Sequence, residues 1–543
     1  MFGSPTSRDP TQSITGIPMD IHEALQPLDF AVIIIYIIAL LGLGTWVSLR
    51  HKGAQQDLFL GGRTLPWYNV GLSIFGTNIG PSFLIASCSI AYMSGVVGAN
   101  FEWLAWWFLM LLGMLFVPHY MRTKIDTMPQ FMLRRFGTRV YGFLSWYALF
   151  TTVVLWLGGT LYAGGVLFSQ IMAWPLWLSV IFLAAISLLL TAVGGLVAVV
   201  VTDSFQSILM IIGSATLTLI AFSHVGGVSE LVAATPDDYW QLFRGADDDV
   251  YPWHAVVLGY PVLAIWFWCT DQTIVQRALG ARDLRQSQLG VVFAGFLKII
   301  PPFIFMLPGI LCFVLHPDLA DPDEAFMTMV TNYLPVGMTG LIVAVLIAAL
   351  VSTVDSGLNS FSTVFTLDIY VSRYRPDATP AEIKWVGRVS MVGVAILAIL
   401  SALSMEGVGK NMFELLQGII SFIAPPMGAV FLIGVLWRRA TSAAAYSTLV
   451  LGSIVSLSVG LMHFKHWPAE DFWPNHLLLA FYLFAGICSF MVILSLLTRN
   501  SPEEEQMPTL SQTYAELDAS PRRIWVLWGI LAVIMIAIYL TLN

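Results

Sequence analysis

Leu72–Tyr92 reads LSIFGTNIGPSFLIASCSIAY, an apolar segment long enough to cross a membrane but interrupted at its centre. Pro81 has no backbone N–H and clashes with the preceding helical turn, while Gly76 and Gly80 relax the helical restraint. A break at membrane depth frees backbone carbonyls, which is tolerated only where they line protein or a cavity. The segment therefore predicts a discontinuous helix beside a binding site.

The composition around this segment is that of a membrane protein. Of 543 residues, 57% are hydrophobic and only 11% are charged, which excludes a soluble globular domain. Apolar runs of about 20 residues can each span a bilayer as a helix. We predict an all-α polytopic membrane protein with about fourteen transmembrane helices. The predicted spans are 29–49, 66–93, 98–119, 140–172, 174–194, 200–224, 253–276, 289–314, 335–370, 385–404, 411–436, 441–462, 476–497 and 524–541.

The basic residues are distributed unevenly between the predicted loops. Of the 25 lysines and arginines, 20 fall on one side of this arrangement, and Arg277 is one of these 20. Loops rich in lysine and arginine stay in the cytoplasm. Both termini are therefore predicted to be extracytoplasmic.

A second interrupted span covers Leu263–Arg277, where residues 266–272 mix aromatic and polar side chains. It lies five spans after the first. This spacing predicts two inverted five-helix repeats, with substrate and ion sites where the discontinuous helices meet. The predicted divisions are an extracytoplasmic tail at 1–28, an extra N-terminal helix at 29–50, repeats at 66–224 and 253–437, and three additional helices in 438–543, with an acidic cytoplasmic linker at 498–520.

One later span, Leu341–Tyr370, carries hydroxyl groups at helical spacing. Ala349, Ser352 and Thr353 follow the i, i+3, i+4 rule and share one face. A backbone carbonyl and two hydroxyls there, joined by carbonyls from the broken span, would suit a small hard cation such as Na⁺. The alternative is that Ser352 and Thr353 are small residues that permit close helix packing and bond to carbonyls four residues back.

The same triplet recurs one turn further along, at Ser352, Asp355 and Ser356. If Asp203 approaches Asp355, two carboxylates share one pocket, and their repulsion favours a bound cation or a shared proton. The alternative is that Asp355 faces a water-filled cytoplasmic vestibule.

Lys298 sits in the middle of the apolar stretch Gly290–Val314, and Glu102 opens another apolar helix. A charged side chain at the bilayer centre costs about 3 kcal/mol on insertion scales, so it needs a partner or a function. Two interpretations stay open: the two side chains bind a polar solute, or they form a structural ion pair with each other. The two roles are compatible.

Short motifs occur in a fixed order along the chain: DLFLGGR at 57–63, TNIG at 77–80, FEW at 101–103, TMP at 127–129, GGL at 194–196 with TD at 202–203, WCTDQ at 268–272 with VQR at 275–277, GFLK at 295–298, LNS at 358–360 with DIY at 368–370, and Gln417 before APP at 424–426. With these motifs the chain resembles the sodium:solute symporter family, and most closely its sodium/glucose cotransporter branch, from about Asp29 to Arg439. The resemblance implies a LeuT-type core of ten helices in two inverted repeats, driven by Na⁺ and working by alternating access.

The resemblance also implies roles for individual residues. The implied ligands of the coupling Na⁺ are Gly76, Ile79, Ala349, Ser352 and Thr353. Members with a second sodium position use an acid and hydroxyls, at the positions of Asp203, Asp355 and Ser356. The implied solute-binding positions are Asn78, Ser82, Glu102, Phe267, Trp268, Lys298 and Gln417.

At several of these positions the chain departs from the family pattern. Phe267 stands where sugar-transporting members carry tyrosine, Ala264 and Ile420 replace polar residues, and Ser82 stands in place of a longer polar side chain. Asp355 replaces a hydroxyl, which either strengthens the second cation position or converts it to a proton site. A site with fewer polar groups discriminates less sharply among hydroxylated solutes.

We therefore predict a secondary active transporter of the plasma membrane that couples inward symport of a sugar or sugar-like polyol to Na⁺. The absence of an Asn-x-Ser/Thr sequon favours a bacterial inner membrane. The alternatives are the same fold carrying inositol, a carboxylate or an amino acid, or a transporter-fold sensor. No His-Glu-x-x-His or Gly-x-Ser-x-Gly motif indicates an enzyme, and the predicted partners are the solute, Na⁺ and the lipid bilayer, with no nucleic acid.

Overall fold

The computed structural model describes residues 25–50, 58–248, 250–406, 412–469, 472–499 and 522–542. Most of the predicted tail at 1–28, nearly all of the linker at 498–520, and Asp57 lie outside the described residues. Short connections join the helices of the described part, whose only β-type pairings are the isolated bridges Leu65–Ala281 and Arg244–Pro252. The predicted all-α class is confirmed for these residues.

Twelve helices of the described part are long and apolar enough to cross a membrane, against about fourteen predicted. Two of them, Pro81–Arg122 with 42 residues and Leu176–Ser223 with 48, are interrupted by a glycine with a positive φ, Gly95 at 67° and Gly195 at 60°. The other ten are Pro27–Arg50, Thr138–Met172, Trp253–Thr270, Leu284–Leu315, Met338–Tyr374, Pro380–Ser404, Gln417–Leu436, Ser442–Phe464, His476–Leu497 and Arg522–Thr541. Shorter helices are Trp67–Asn78, Met128–Phe136, Val228–Ala233, Gln272–Leu279 and Ala325–Tyr333.

The longest helix bends at Gly195, which has φ 60° and ψ −161°. Glycine adopts this conformation without the steric cost that a side chain would impose. A Cβ at Gly195 would also lie 2.7 Å from the Leu58 carbonyl oxygen, which accepts a 3.0 Å hydrogen bond from the Leu196 N–H. The predicted spans 174–194 and 200–224 therefore meet at this bend, with a shorter connection than predicted.

The first broken span consists of the helices Trp67–Asn78 and Pro81–Ser94. Ile79 departs from helical geometry with φ −91° and ψ 88°, and Gly80 is extended with φ −90° and ψ 168°. Pro81 then starts the second helix, where its missing N–H costs nothing. The predicted discontinuity is present, and it is confined to two residues.

The second broken span runs from Trp253 to Leu279. Its first part ends in a π-helical stretch, Ile265–Thr270, and Asp271 is extended with φ −71° and ψ 132°. The Asp271 carboxylate then caps the helix Gln272–Leu279 by accepting a 2.8 Å hydrogen bond from the Thr273 N–H. The predicted interruption therefore falls within the aromatic and polar stretch at 266–272.

The helix Met338–Val364, termed the hydroxyl helix below, lies at the centre of the bundle. Every residue from Ile342 to Val364 is buried. A helix that is buried on all sides must be surrounded by other elements. The last helix is the opposite case, since large apolar side chains such as Val533 and Leu540 are 68% and 76% exposed, as expected of a lipid-facing surface.

Candidate functional site

The first broken span meets the hydroxyl helix at Gly76. A Cβ added to Gly76 would lie 3.0 Å from Ser352 Oγ and 2.5 Å from Ser207 Oγ. Only glycine therefore permits the backbone to come this close to the two hydroxyls. The result is a small cradle of polar oxygen atoms at the centre of the bundle.

Thr353 makes a second connection between the same two elements. Its hydroxyl lies within hydrogen-bonding distance of the Ala349 carbonyl at 3.0 Å and of the Thr77 carbonyl at 3.3 Å. The contact with Ala349 is the bond expected from the packing alternative. The contact with Thr77 goes beyond it, because it crosses to the broken span. A hydroxyl donates one hydrogen and keeps lone pairs that can face a cation.

Ile79 and Gly80 complete this junction. Ile79 has no exposed surface, and a Cβ added to Gly80 would lie 3.5 Å from Thr353 Oγ1. The residues implied as sodium ligands thus lie together where the break meets the hydroxyl helix. Their donor set consists of neutral carbonyl and hydroxyl oxygens, which suits a hard monovalent cation.

Asp203 connects the two elements through its carboxylate. Oδ1 accepts a 2.6 Å hydrogen bond from Ser352 Oγ, and Oδ2 accepts a 2.5 Å bond from Ser73 Oγ. The side chain has no exposed surface. Ser352 therefore belongs both to the cradle beside Gly76 and to the acidic cluster.

Asp355 lies one turn from Ser352 and is also completely buried. Neither of its carboxylate oxygens has a hydrogen-bond partner among the described residues. It lies close enough to Asp203 and Arg277 for their charges to act on it. The predicted proximity of the two acids is thus present, and the alternative of a water-filled vestibule is wrong for this conformation.

Arg277, which the sequence analysis counts among the basic residues of the cytoplasmic loops, lies inside the bundle. The side chain is fully buried, with its guanidinium 3.8 Å from Asp203 Oδ2. It donates to Ser73 Oγ at 3.3 Å, to Ser356 Oγ and to the Thr273 carbonyl. Because Gln272–Leu279 is buried on all sides, its one basic residue is directed into the bundle.

A second polar group surrounds Glu102. Lys298 Nζ lies 2.6 Å from Glu102 Oε2, and the two side chains are 1% and 4% exposed. Asn78 Nδ2 donates to Glu102 Oε1 at 3.1 Å, and the Lys298 ammonium lies 4.8 Å from the Trp268 ring centroid. Four of the predicted solute-binding side chains therefore converge, and the ion pair is present.

Aromatic rings extend from this group toward the second break. Phe267 and Trp268 pack edge to face at 4.5 Å, and Phe267 lies 5.2 Å from Trp156. Trp156 Nε1 donates to Asp271 Oδ2 at 3.2 Å. The sequence analysis did not single out Trp156. The one feature of the sequence that marks Trp156 is its position just before the Gly158-Gly159 pair inside a long predicted span.

The remaining predicted positions are not joined to this group. In the part of the chain that the structure describes, no hydrogen bond links the Ser82 or Gln417 side chain to Glu102 or Lys298. The backbone carbonyl of Gln417 accepts a 2.9 Å hydrogen bond from Ser421 Oγ. Both side chains are partly exposed.

Comparison with known proteins gives a consistent result. Residues 58–452 match the family model described as the Sodium:solute symporter family. The chain is 34% identical over 479 residues to sodium/glucose cotransporter 4 of Danio rerio, covering 81% of this chain and 73% of that relative. It is 32% identical over 494 residues to sodium/myo-inositol cotransporter 2 of Sus scrofa, covering 84% of this chain and 73% of that relative.

A solved structure shows the same fold. A Na⁺-coupled sialic acid symporter in a substrate-bound outward-open state superposes with a TM-score of 0.77, covering 88% of this chain and 99% of that chain. The sequence identity is 22%, so the likeness concerns the fold alone.

Proposed function

The chain belongs to the sodium:solute symporter family, and we propose that it imports a sugar or a sugar-like polyol. It is a multi-pass membrane protein and a sodium-coupled solute symporter, with Na⁺ as the coupling ion. The observation that carries the choice of solute is the buried group formed by Asn78, Glu102 and Lys298 beside Trp268. A pyranose or cyclic polyol offers hydroxyls that donate and accept, and an apolar face that suits an aromatic ring.

The balance of charge in this group supports a neutral solute. Lys298 is already paired with Glu102 at 2.6 Å. A carboxylate solute would need positive charge without a partner, so it would have to break this ion pair. Relatives named as sodium/glucose and sodium/myo-inositol cotransporters support the same class of solute.

The coupling Na⁺ is proposed to bind in the cradle between the first broken span and the hydroxyl helix. Two features of the geometry support it: the close approach that Gly76 permits, and the contact of the Thr353 hydroxyl with the Thr77 carbonyl. The proposed ligands are Gly76, Ile79, Ala349, Ser352 and Thr353.

A second monovalent cation or a proton is proposed at Asp203, Asp355 and Ser356. Asp203 and Asp355 share one guanidinium, that of Arg277, which also interacts with Asp271, so the ionised cluster carries an excess of negative charge. An uncompensated charge in a buried site is costly. Either Na⁺ or a proton would reduce this excess, and the hydroxyl ligands of Ser352 and Ser356 fit the first.

Coupling between the ions and the solute follows from differential affinity. Na⁺ bound between the broken span and the hydroxyl helix favours the state in which these elements are joined. Asn78 lies on the same helix end as Thr77, so this state also orders a solute-binding side chain. Each ligand then helps the other to bind, and a membrane potential adds about 2.3 kcal/mol per charge per 100 mV.

The proposed topology has fourteen crossings, with inverted repeats at 66–224 and 253–437 and both termini outside the cell. The interruptions at Gly95 and Gly195 support it, since each divides a helical stretch that is too long for one crossing. The distribution of basic residues supports the orientation. The proposed location is the plasma membrane, which in a bacterium is the inner membrane.

Uptake of labelled solutes into proteoliposomes tests the proposal. Glucose, galactose and myo-inositol are offered with an inward Na⁺ gradient, with equal Na⁺ on both sides, and with K⁺ in place of Na⁺. We expect gradient-driven accumulation of at least one of them. Accumulation of a carboxylate or an amino acid, with none of the sugars or polyols taken up, contradicts the proposed solute class. Solute binding without accumulation favours a sensor.

A further inference from the structure

An open cavity of about 530 Å³ is lined by none of the residues of the sites described above. It is enclosed by the helix Thr138–Thr151, the end of the π-helical stretch Phe365–Tyr374 and the start of the helix Ser442–Phe464. This volume is within the range of typical small-molecule sites. The lining residues are Thr138, Arg139, Gly142, Phe143, Trp146, Tyr147, Phe150, Arg373 and Tyr446.

The charged side chains that line this cavity are positive among the residues that the structure describes. They are Arg139 and Arg373, and none of the described lining residues is acidic. Neither arginine forms an ion pair among the described residues, whereas the nearby Arg375 lies 3.6 Å from Glu382. Two unpaired guanidinium groups beside one cavity favour an anion.

Gly142 leaves room for Arg373 beside the cavity. A Cβ added to Gly142 would come within 2.5 Å of Arg373 Nη2, so the guanidinium rests directly against the helix backbone. A side chain at this position would compete with the guanidinium for the same space at the cavity wall.

An apolar surface continues from the basic end of the cavity into the membrane. Arg139, Phe143, Trp146 and Phe150 lie at i, i+4, i+7 and i+11, on one face of the helix. Trp146 and Phe150 are 53% and 61% exposed. At 1.5 Å per residue they lie about 10 and 16 Å deeper than Arg139 along the helix, where acyl chains pack in a bilayer.

We propose that this cavity binds an anionic phospholipid of the inner leaflet, with its phosphate on Arg139 and Arg373 and an acyl chain along Phe143, Trp146 and Phe150. Basic pockets between helices on the cytoplasmic side suit such headgroups. A free phosphate shares the headgroup chemistry but leaves the aromatic face unused. The basic end lies on the side predicted to be cytoplasmic, which places the lipid in the inner leaflet.

Native mass spectrometry of the delipidated full-length protein tests the proposal. Phosphatidylglycerol, phosphatidylcholine and inorganic phosphate are titrated separately. We expect phosphatidylglycerol to bind more tightly than phosphatidylcholine, and Arg139→Gln/Arg373→Gln to weaken it about thirtyfold, since each basic residue near an anionic lipid contributes roughly a factor of five. The matched control is Arg285→Gln/Arg523→Gln, which removes two exposed charges outside the cavity.

Three results would overturn the proposal: equal binding of the two lipids, an equal loss in the control variant, or displacement of phosphatidylglycerol by millimolar phosphate. A second measurement does not depend on the arginine variants. Brominated phosphatidylglycerol should quench more fluorescence in the wild-type protein than in Trp146→Phe. Identical quenching in the two proteins would also exclude the site.

Discussion

Glu102→Gln removes one buried charge while preserving the size of the side chain and its capacity to bond with Asn78. Glu102 Oε2 lies 2.6 Å from Lys298 Nζ, and the side chains are 4% and 1% exposed. At an effective dielectric constant of about 20, charges at this distance attract by about 6 kcal/mol, part of which offsets their desolvation. Because the substitution leaves the lysine unpaired, the free energy of unfolding should fall by about 3–5 kcal/mol.

A double variant separates the stability of the protein from its binding of solute. In Glu102→Gln/Lys298→Met both charges are gone, and neutral replacement of a buried ion pair often costs little. We expect most of the lost stability to return. Solute affinity should not return, because hydrogen bonds to charged groups contribute about 1.5–3 kcal/mol each, or tenfold to over a hundredfold in affinity.

The two quantities are measured on the same preparations. Reversible unfolding in mixed detergent micelles gives the stability, and concentration-dependent uptake into proteoliposomes gives the apparent solute affinity. Wild-type uptake by the double variant would show that the ion pair is only structural. Equal instability of the single and double variants would refute the reasoning about an uncompensated charge.

Three further substitutions test the ion sites and the aromatic contact. Thr353→Ala should raise the half-saturating Na⁺ concentration about tenfold, because it removes one ligand. The control Thr339→Ala, on the same helix, should leave this concentration unchanged. Unchanged Na⁺ dependence in Thr353→Ala would remove Thr353 from the site. Asp355→Ser should change the charge-to-solute ratio or the pH profile of uptake, and if both stay as in the wild type the acid is not an ion ligand. Trp156→Phe keeps the aromatic contact but loses the bond to Asp271, so it should change the transport rate more than Na⁺ affinity. A rate equal to wild type would contradict that role.

The parts of the site that the sequence predicts are those with a local cause. The break after Asn78 follows from Gly80 and Pro81, which act within one helical turn. The shared face of Ser352 and Thr353 follows from helical periodicity alone. Such features need no knowledge of neighbouring elements, and the structure places both at the same junction.

The sequence does not show the positions of Arg277 and Trp156, because these depend on contacts between distant segments. The rule that places basic residues in cytoplasmic loops uses only the number of charges in each loop. It takes no account of the helix break at Asp271, which lies only six residues before Arg277. Its burial depends on Asp203 from another helix. For the same reason, the sequence separates the spans 174–194 and 200–224 but does not show that they meet at a bend at Gly195.

Ser352 makes the two proposed ion sites interdependent. Its single hydroxyl hydrogen is directed to Asp203 Oδ1 at 2.6 Å, so its lone pairs are left for a cation in the cradle beside Gly76. A charged acceptor polarises a hydroxyl, and polarised hydrogen bonds strengthen one another. When a cation or proton neutralises Asp203, this polarisation decreases, and Ser352 becomes a weaker ligand. Occupancy of one site therefore changes the affinity of the other by a reciprocal factor. Asp203→Asn should accordingly alter the affinity of the coupling Na⁺ site, although it replaces none of the proposed ligands of that site.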